Sequence, residues 1–165
     1  MNYFITFRTY GTWLHGDERG SVDREHNQVG EPLLETNAAL HRHRRSLMRG
    51  EAMMFDEKAR ECVHSAIRGV AHHRDWQIHA LQVMNNHVHV VVSADSIKPE
   101  KVMADFKAWA TRRLRETGHI SSEALVWERH GSTRYVNSHN SLDAACNYVL
   151  NCQLDTDEPR ASATG

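Results

Sequence analysis

The sequence predicts an α+β domain of the ferredoxin-like or RRM-like type, a β-α-β-β-α-β antiparallel sheet followed by an extra C-terminal helix. Three observations carry this expectation. Apolar residues recur at helical spacing around Val63, Phe106 and Ala145. Between these stretches lie short runs rich in β-branched and aromatic residues. One run, His87-Val88-His89-Val90-Val91-Val92-Ser93, follows directly on an Asn85-Asn86 turn signal.

Tyr3 to Trp13 reads as the first strand, ending at Gly11. Residues 14–32 carry Gly16, Gly20, Gly30 and Pro32 among many charges, which predicts a long loop or an inserted hairpin. A short helix is expected from Thr36 to Met48, with Arg and His on its exposed side. Asp56 is placed to cap a helix from Glu57 to about Asp75. Ala59, Cys62, Val63, Ala66, Ile67 and Val70 are its apolar stripe. Trp76 to Met84 reads as a strand in which Ile78, Ala80 and Gln82 alternate against His79, Leu81 and Val83. The His-Val-His strand comes next. Lys98-Pro99 opens another helix with proline at its permitted first position, and Gly118 lies just beyond its end. Its stripe is Val102, Met103, Phe106, Trp109, Ala110 and Leu114. Two strand segments follow, Val126–His130 and Thr133–Val136, and then a helix capped by Asn140 or Ser141 that runs to about Leu154. A sheet of this kind is expected to keep one face free for a ligand.

At 165 residues the chain is long enough for one domain with a core of its own, expected over residues 1–154 with a disordered acidic tail over 155–165. With 40% hydrophobic and 25% charged residues it has the composition of a globular protein, and no run is long enough to span a membrane. Without a signal peptide at Met1–Thr6, a cytoplasmic location is expected. Cys62, Cys146 and Cys152 are odd in number and form no CxxC pair, so reduced thiols are expected. The net charge of −1 argues against coating nucleic acid by bulk charge, but leaves room for a local basic groove.

His87 and His89 stand at i and i+2 of a strand, so both imidazoles project from one face while Val88 turns to the other. Imidazole is the commonest metal ligand among side chains, and two on one rigid strand are half of a metal site. Two polar histidines lining the wet face of a sheet is the plainer account of the pair alone. The last helix adds Tyr148, on the flank of a stripe made by Leu142, Ala145, Cys146 and Val149, with Asn151 on the same side one turn on. Alone, such a tyrosine is more often a rim residue. Together the two elements suit phosphodiester cleavage, which needs a nucleophile and a cation to neutralise the phosphate oxygens. Two imidazoles plus one amide or carboxylate oxygen leave a divalent ion open positions for phosphate.

Asn86-His87-Val88-His89-Val90-Val91-Val92 and the late Tyr148-Val149-Leu150-Asn151 resemble the single-tyrosine HUH transposases, most closely the REP-associated tyrosine transposases. Phe7-Arg8-Thr9-Tyr10-Gly11-Thr12-Trp13-Leu14 and Gly16-Asp17-Glu18-Arg19-Gly20 look like the opening of one subgroup. The resemblance implies a DNA transposase that attacks single-stranded DNA through Tyr148, leaving a 5′-phosphotyrosine and a free 3′-OH. It implies Mg²⁺ or Mn²⁺ held by His87 and His89, recognition of hairpin (REP-like) DNA, and a homodimer.

One departure stands out. The family sets an amide four residues after the tyrosine as third ligand, where this chain has Cys152. Thiolate is a poor partner for a hard cation such as Mg²⁺. Asn151 and Gln153 flank it, about 60° and about 140° from Tyr148 around a regular helix. A regular helix favours Asn151, whereas a bulge or an ending helix favours Gln153. Tyr3, Tyr10 and Tyr135 are rival tyrosines, each expected to be structural. Arg42, Arg44, Arg45, Lys107, Arg112, Arg113 and Arg115 are candidates for phosphate contact. Trp13 and Trp127 are candidates for stacking on unpaired bases. The alternative from another class is a non-catalytic DNA-hairpin-binding protein of the same fold, motivated by Cys152 and the near-neutral charge.

Overall fold

The computed structural model describes residues 1–12 and 52–151. The expected loop at 14–32, the helix at 36–48 and the acidic tail lie outside the described residues. The elements are β1 (Asn2–Thr9), α1 (Glu57–His73), β2 (Gln77–Val83), β3 (His87–Ser93), α2 (Pro99–Glu116), β4 (Trp127–Tyr135) and α3 (His139–Asn151). The strands form one sheet in the order β2-β3-β1-β4, and every neighbouring pair is antiparallel. This is the α+β, ferredoxin-like arrangement with an added helix that the sequence predicts. Among the described residues, no helix is long and apolar enough to cross a membrane.

The helices begin where their sequences say they should. The Asp56 carboxylate accepts from the Ala59 amide at 2.8 Å, satisfying one of the amide donors that the first turn of α1 cannot use. Pro99 starts α2 with its fixed φ and no orphaned N–H. Gly118, at φ +77°, follows the end of α2 in a conformation that a side chain would strain. The cap of α3 is neither Asn140 nor Ser141. Ser138 Oγ accepts from the Ser141 amide at 3.1 Å, so the helix starts two or three residues earlier than expected.

Alternation divides the sheet into two faces. Ile5, Phe7, Val88, Val90, Val92, Leu81 and Val83 turn to one side and pack against Val63, Ile67 and Val70 of α1 and Val102, Phe106 and Leu114 of α2. On the other side Ala145 and Val149 of α3 pack on Ala80, Val91 and Val136, with Phe4, Leu142 and Cys146 at the margin. Thus the second face is not free as expected, because α3 covers part of it. Cover on both sides explains why β3 is buried at every position from Val88 to Val92.

Two registers differ from simple alternation. Ile78 pairs with Val92 and Ala80 with Val91, so His79 is an extra residue and Ile78 and Ala80 face opposite sides rather than sharing one. The last strand is continuous through Gly131 instead of broken into two pieces. Its register against β1 shifts between Phe7 and Thr9.

Candidate active site at the helix–sheet seam

The site face of β1 carries Phe4, Thr6 and Arg8, which pair with Val91, His89 and His87 of β3. Side chains directly opposite on antiparallel strands are near neighbours, so the register of β1 on β3 sets the surroundings of both histidines. Thr6 Oγ1 lies 2.9 Å from His89 Nδ1. His87 Nδ1 donates to Asn86 Oδ1 at 2.6 Å. Both Nδ1 atoms are therefore engaged by neighbouring side chains, so a metal on either ring would be held through Nε2. The rings sit 4.7 Å apart, centre to centre. This is the pattern in which an outer partner holds a ligating imidazole in one tautomer.

His89 is 6% exposed. Burial, together with the Arg8 guanidinium, pushes its pKa down to about 4. At neutral pH it is an uncharged imidazole, the form that binds metal. The metal-free protein should show this in its stability. Above pH 6.5 the ring is neutral in both folded and unfolded chains. As pH falls toward 4, the unfolded chain takes up the proton first, and stability drops by up to about 3 kcal/mol. Urea titrations at pH 7 and pH 4.5 should show a smaller loss in His89→Gln than in wild type; equal losses would contradict it.

Tyr148 projects from α3 over this row. Its ring lies 5.6 Å from that of His89 and 5.8 Å from that of Phe4, edge-on to both. The residue is 55% exposed. The structure thus brings together His87, His89 and Tyr148 from strand and helix far apart in sequence. Tyr3 and Tyr135 turn to the other face, where their rings meet at 5.2 Å. Tyr3 is buried and its hydroxyl donates to the Ile97 carbonyl. Tyr10 lies just past the end of β1, and its amide donates to the Val126 carbonyl.

Asn151 is exposed at the last described position of α3. Gln153 and Cys152 lie outside the described residues. Among the described residues no group of three His, Cys, Asp or Glu is arranged to hold a metal. The donors present are two imidazoles, which would fit half of a divalent site, with an amide or carboxylate oxygen needed to complete it.

Arg112 and Arg113 are on α2, which packs against the face of the sheet opposite the histidines, so they do not join the site. Arg112 lies over the Trp109 ring at 5.4 Å and Arg113 pairs with Glu116 at 3.8 Å. Trp127 is packed rather than presented: its ring meets those of Phe7 and Phe55, and its Nε1 donates to Thr111 Oγ1. Arg42, Arg44, Arg45 and Trp13 lie outside the described residues.

Sequence reasoning missed Thr6, Phe4 and Arg134. All three have the right strand parity, but only cross-strand pairing shows which histidine or ring each one faces. Thr6→Val makes the point measurable. It leaves a buried imidazole nitrogen without its partner, so the expected result is a stability loss of about 1–3 kcal/mol. Any Mn²⁺ held by the histidine pair should bind roughly 10- to 100-fold more weakly. Calorimetric titration with Mn²⁺ that gave wild-type affinity would refute the positioning role.

The sequence matches the IS200-like transposase family over residues 38–152. Among solved structures, the chain is similar to a REP-associated tyrosine transposase bound to a REP hairpin. That match has a TM-score of 0.55 at 10% identity, and covers 93% of this chain and 67% of that one. It is also similar to a protein described as a "putative transposase" from Deinococcus radiodurans R1. There the TM-score is 0.49 at 15% identity, and 92% and 89% of the two chains are covered. At such identities the likeness is one of fold. No curated protein matches the sequence.

Proposed function

The chain belongs to the IS200-like transposase family, and from that premise we propose that it cleaves and rejoins single-stranded DNA through Tyr148 at hairpin-bearing sites. The observation that carries this reading is the Tyr148 ring 5.6 Å from His89, across a seam between α3 and the sheet. A half-exposed phenol beside a pair of oriented imidazoles combines an accessible nucleophile with a place for a cation.

In the proposed reaction the Tyr148 oxygen loses its proton and forms a bond to phosphorus while the P–O3′ bond breaks. The fragment downstream of the break becomes linked to the enzyme through its 5′-phosphate, and the upstream fragment leaves with a 3′-OH that takes up a proton. Attack by a second 3′-OH on the phosphotyrosine restores the phenol and joins the strands, so no nucleotide cofactor is needed. His87 and His89 would hold Mg²⁺ or Mn²⁺ through Nε2, with Asn151 or Gln153 as third donor. When bound, such an ion supplies positive charge to the non-bridging phosphate oxygens. Asn86 and Thr6 keep the two rings turned for that task. Phe4 supports the Tyr148 ring from below, limiting the positions from which the phenol can attack.

The fold shared with a transposase bound to a REP hairpin supports a structured DNA substrate. A homodimer acting on DNA in the cytoplasm completes the reading. The test is denaturing electrophoresis of the protein with end-labelled hairpin DNA from its own genomic flanks, with Mn²⁺ and with EDTA. The expected result is a metal-dependent covalent band that Tyr148→Phe removes while DNA binding persists. Cleavage without protein-linked DNA would indicate hydrolysis and overturn the role of Tyr148. Tight binding with no product in any condition would establish the non-catalytic hairpin-binding alternative.

A further inference from the structure

Beside Tyr148 a cleft of about 570 Å³ opens between β4 and α3, lined by Phe4, His89, Arg134, Ser141, Ala144 and Tyr148 among others. Its size lies within the roughly 300–1,000 Å³ range of small-molecule sites. The Arg134 guanidinium lies over the Phe4 ring, 5.2 Å from its centre. This places a planar cation one ring away from the nucleophile, since Phe4 also touches Tyr148. Arg134 is exposed, and no hydrogen bond or ion pair occupies it among the described residues. Five N–H donors are thus carried on a plane with no anionic partner among the described residues. The helical wall is low because its residues there are small, at Ser141 and Ala144.

We propose that this cleft seats the unpaired nucleotide next to the scissile phosphate, its base stacked on Arg134 and Phe4 and its phosphate held by the guanidinium. The proposal rests on Tyr148 being the nucleophile only for naming which nucleotide is bound. A base in a duplex has both faces covered by its neighbours, whereas an unpaired base can lie on an arginine or aromatic plane. The cleft therefore selects single-stranded DNA at the point of cleavage. It does so by stacking, with tolerance for base identity. Arg134 is a binding residue in this account, and Ala144 is the gap that admits the base.

The experiment uses full-length Tyr148→Phe protein, which keeps the ring but cannot form the adduct, and hairpin DNA with Mn²⁺. Single abasic sites are moved one position at a time along the unpaired strand, and binding is read by fluorescence anisotropy. One abasic position should weaken binding by roughly 5- to 150-fold, the range of a lost base stack. Adding Arg134→Ala should weaken binding to intact DNA and abolish the further penalty of that abasic site. Ala144→Trp, which fills the cleft from the helix side, should do the same. Melting temperatures close to the parent establish that both variants are folded.

An abasic penalty that persists unchanged in both variants, or no sensitive position at all, would overturn the proposal. Failure of the nucleophile reading looks different. In that case wild-type protein forms no covalent band, while the abasic penalty and its loss in Arg134→Ala still report on the cleft.

Discussion

With His87 and His89 both changed to alanine, covalent Tyr148–DNA product is expected to form at least about a thousandfold more slowly. Charge neutralisation at a scissile phosphate supplies several kcal/mol, and each 1.36 kcal/mol is tenfold in rate. Both side chains lie on the surface of β3 that faces Tyr148, and the core side of the strand is made by Val88, Val90 and Val92. The substitution therefore removes the imidazoles while leaving that core intact. Single variants should each lose most of the activity, because in the proposed site one imidazole would not hold the ion alone. The measurement is the single-turnover rate of adduct formation across a Mn²⁺ titration, with circular dichroism to establish folding. A folded double variant that kept a rate within tenfold of wild type would remove the histidine pair from the reaction.

Gly131→Ala is expected to be the most damaging small change in the described part of the sheet. Gly131 sits opposite Phe7 where β4 crosses β1. A methyl group there would meet the Thr6 carbonyl oxygen at 2.6 Å, Met103 Sδ at 2.5 Å and Phe7 Cβ at 3.2 Å. The methionine can swing away, but the Thr6 carbonyl belongs to the strand that supports the histidines. Overpacking of this kind costs about 1–3 kcal/mol, which for a chain of this size is a fall in melting temperature of roughly 2–12 °C. Because displacement of Thr6 carries its hydroxyl away from His89, Mn²⁺ affinity should fall with stability. A variant that melts like wild type and binds Mn²⁺ normally would show that β1 and β4 do not approach as described.

These two positions differ in how they can be recognised from the sequence. The His87/His89 pair is legible because strand periodicity alone puts i and i+2 on one face. The damage expected at Gly131 is not legible. A lone glycine in a strand signals a close approach but not what approaches.

Local rules accounted for most of the architecture. Asp56 and Pro99 marked helix starts, and the valines of β3 marked a strand. The stripe of α3 placed Tyr148 on a flank rather than in the core. They failed at His79, where an inserted residue reverses the alternation and turns Ile78 and Ala80 to opposite faces. They also failed at Ser138, whose capping hydroxyl precedes the residues expected to start the helix.

What the sequence determined by itself was the order of elements, the two oriented histidines and a tyrosine on the flank of the last helix. Each depends on spacing within one element, and a 2.0 or 3.6 residue period is intrinsic to the backbone. What the tertiary structure decided was the company these residues keep: Thr6 on His89, Phe4 beneath Tyr148, Arg134 on Phe4, and Arg112 and Arg113 on the far side of the sheet. Those relations follow from strand register and helix docking, which are set by burial of the whole core and not by any local stretch of chain.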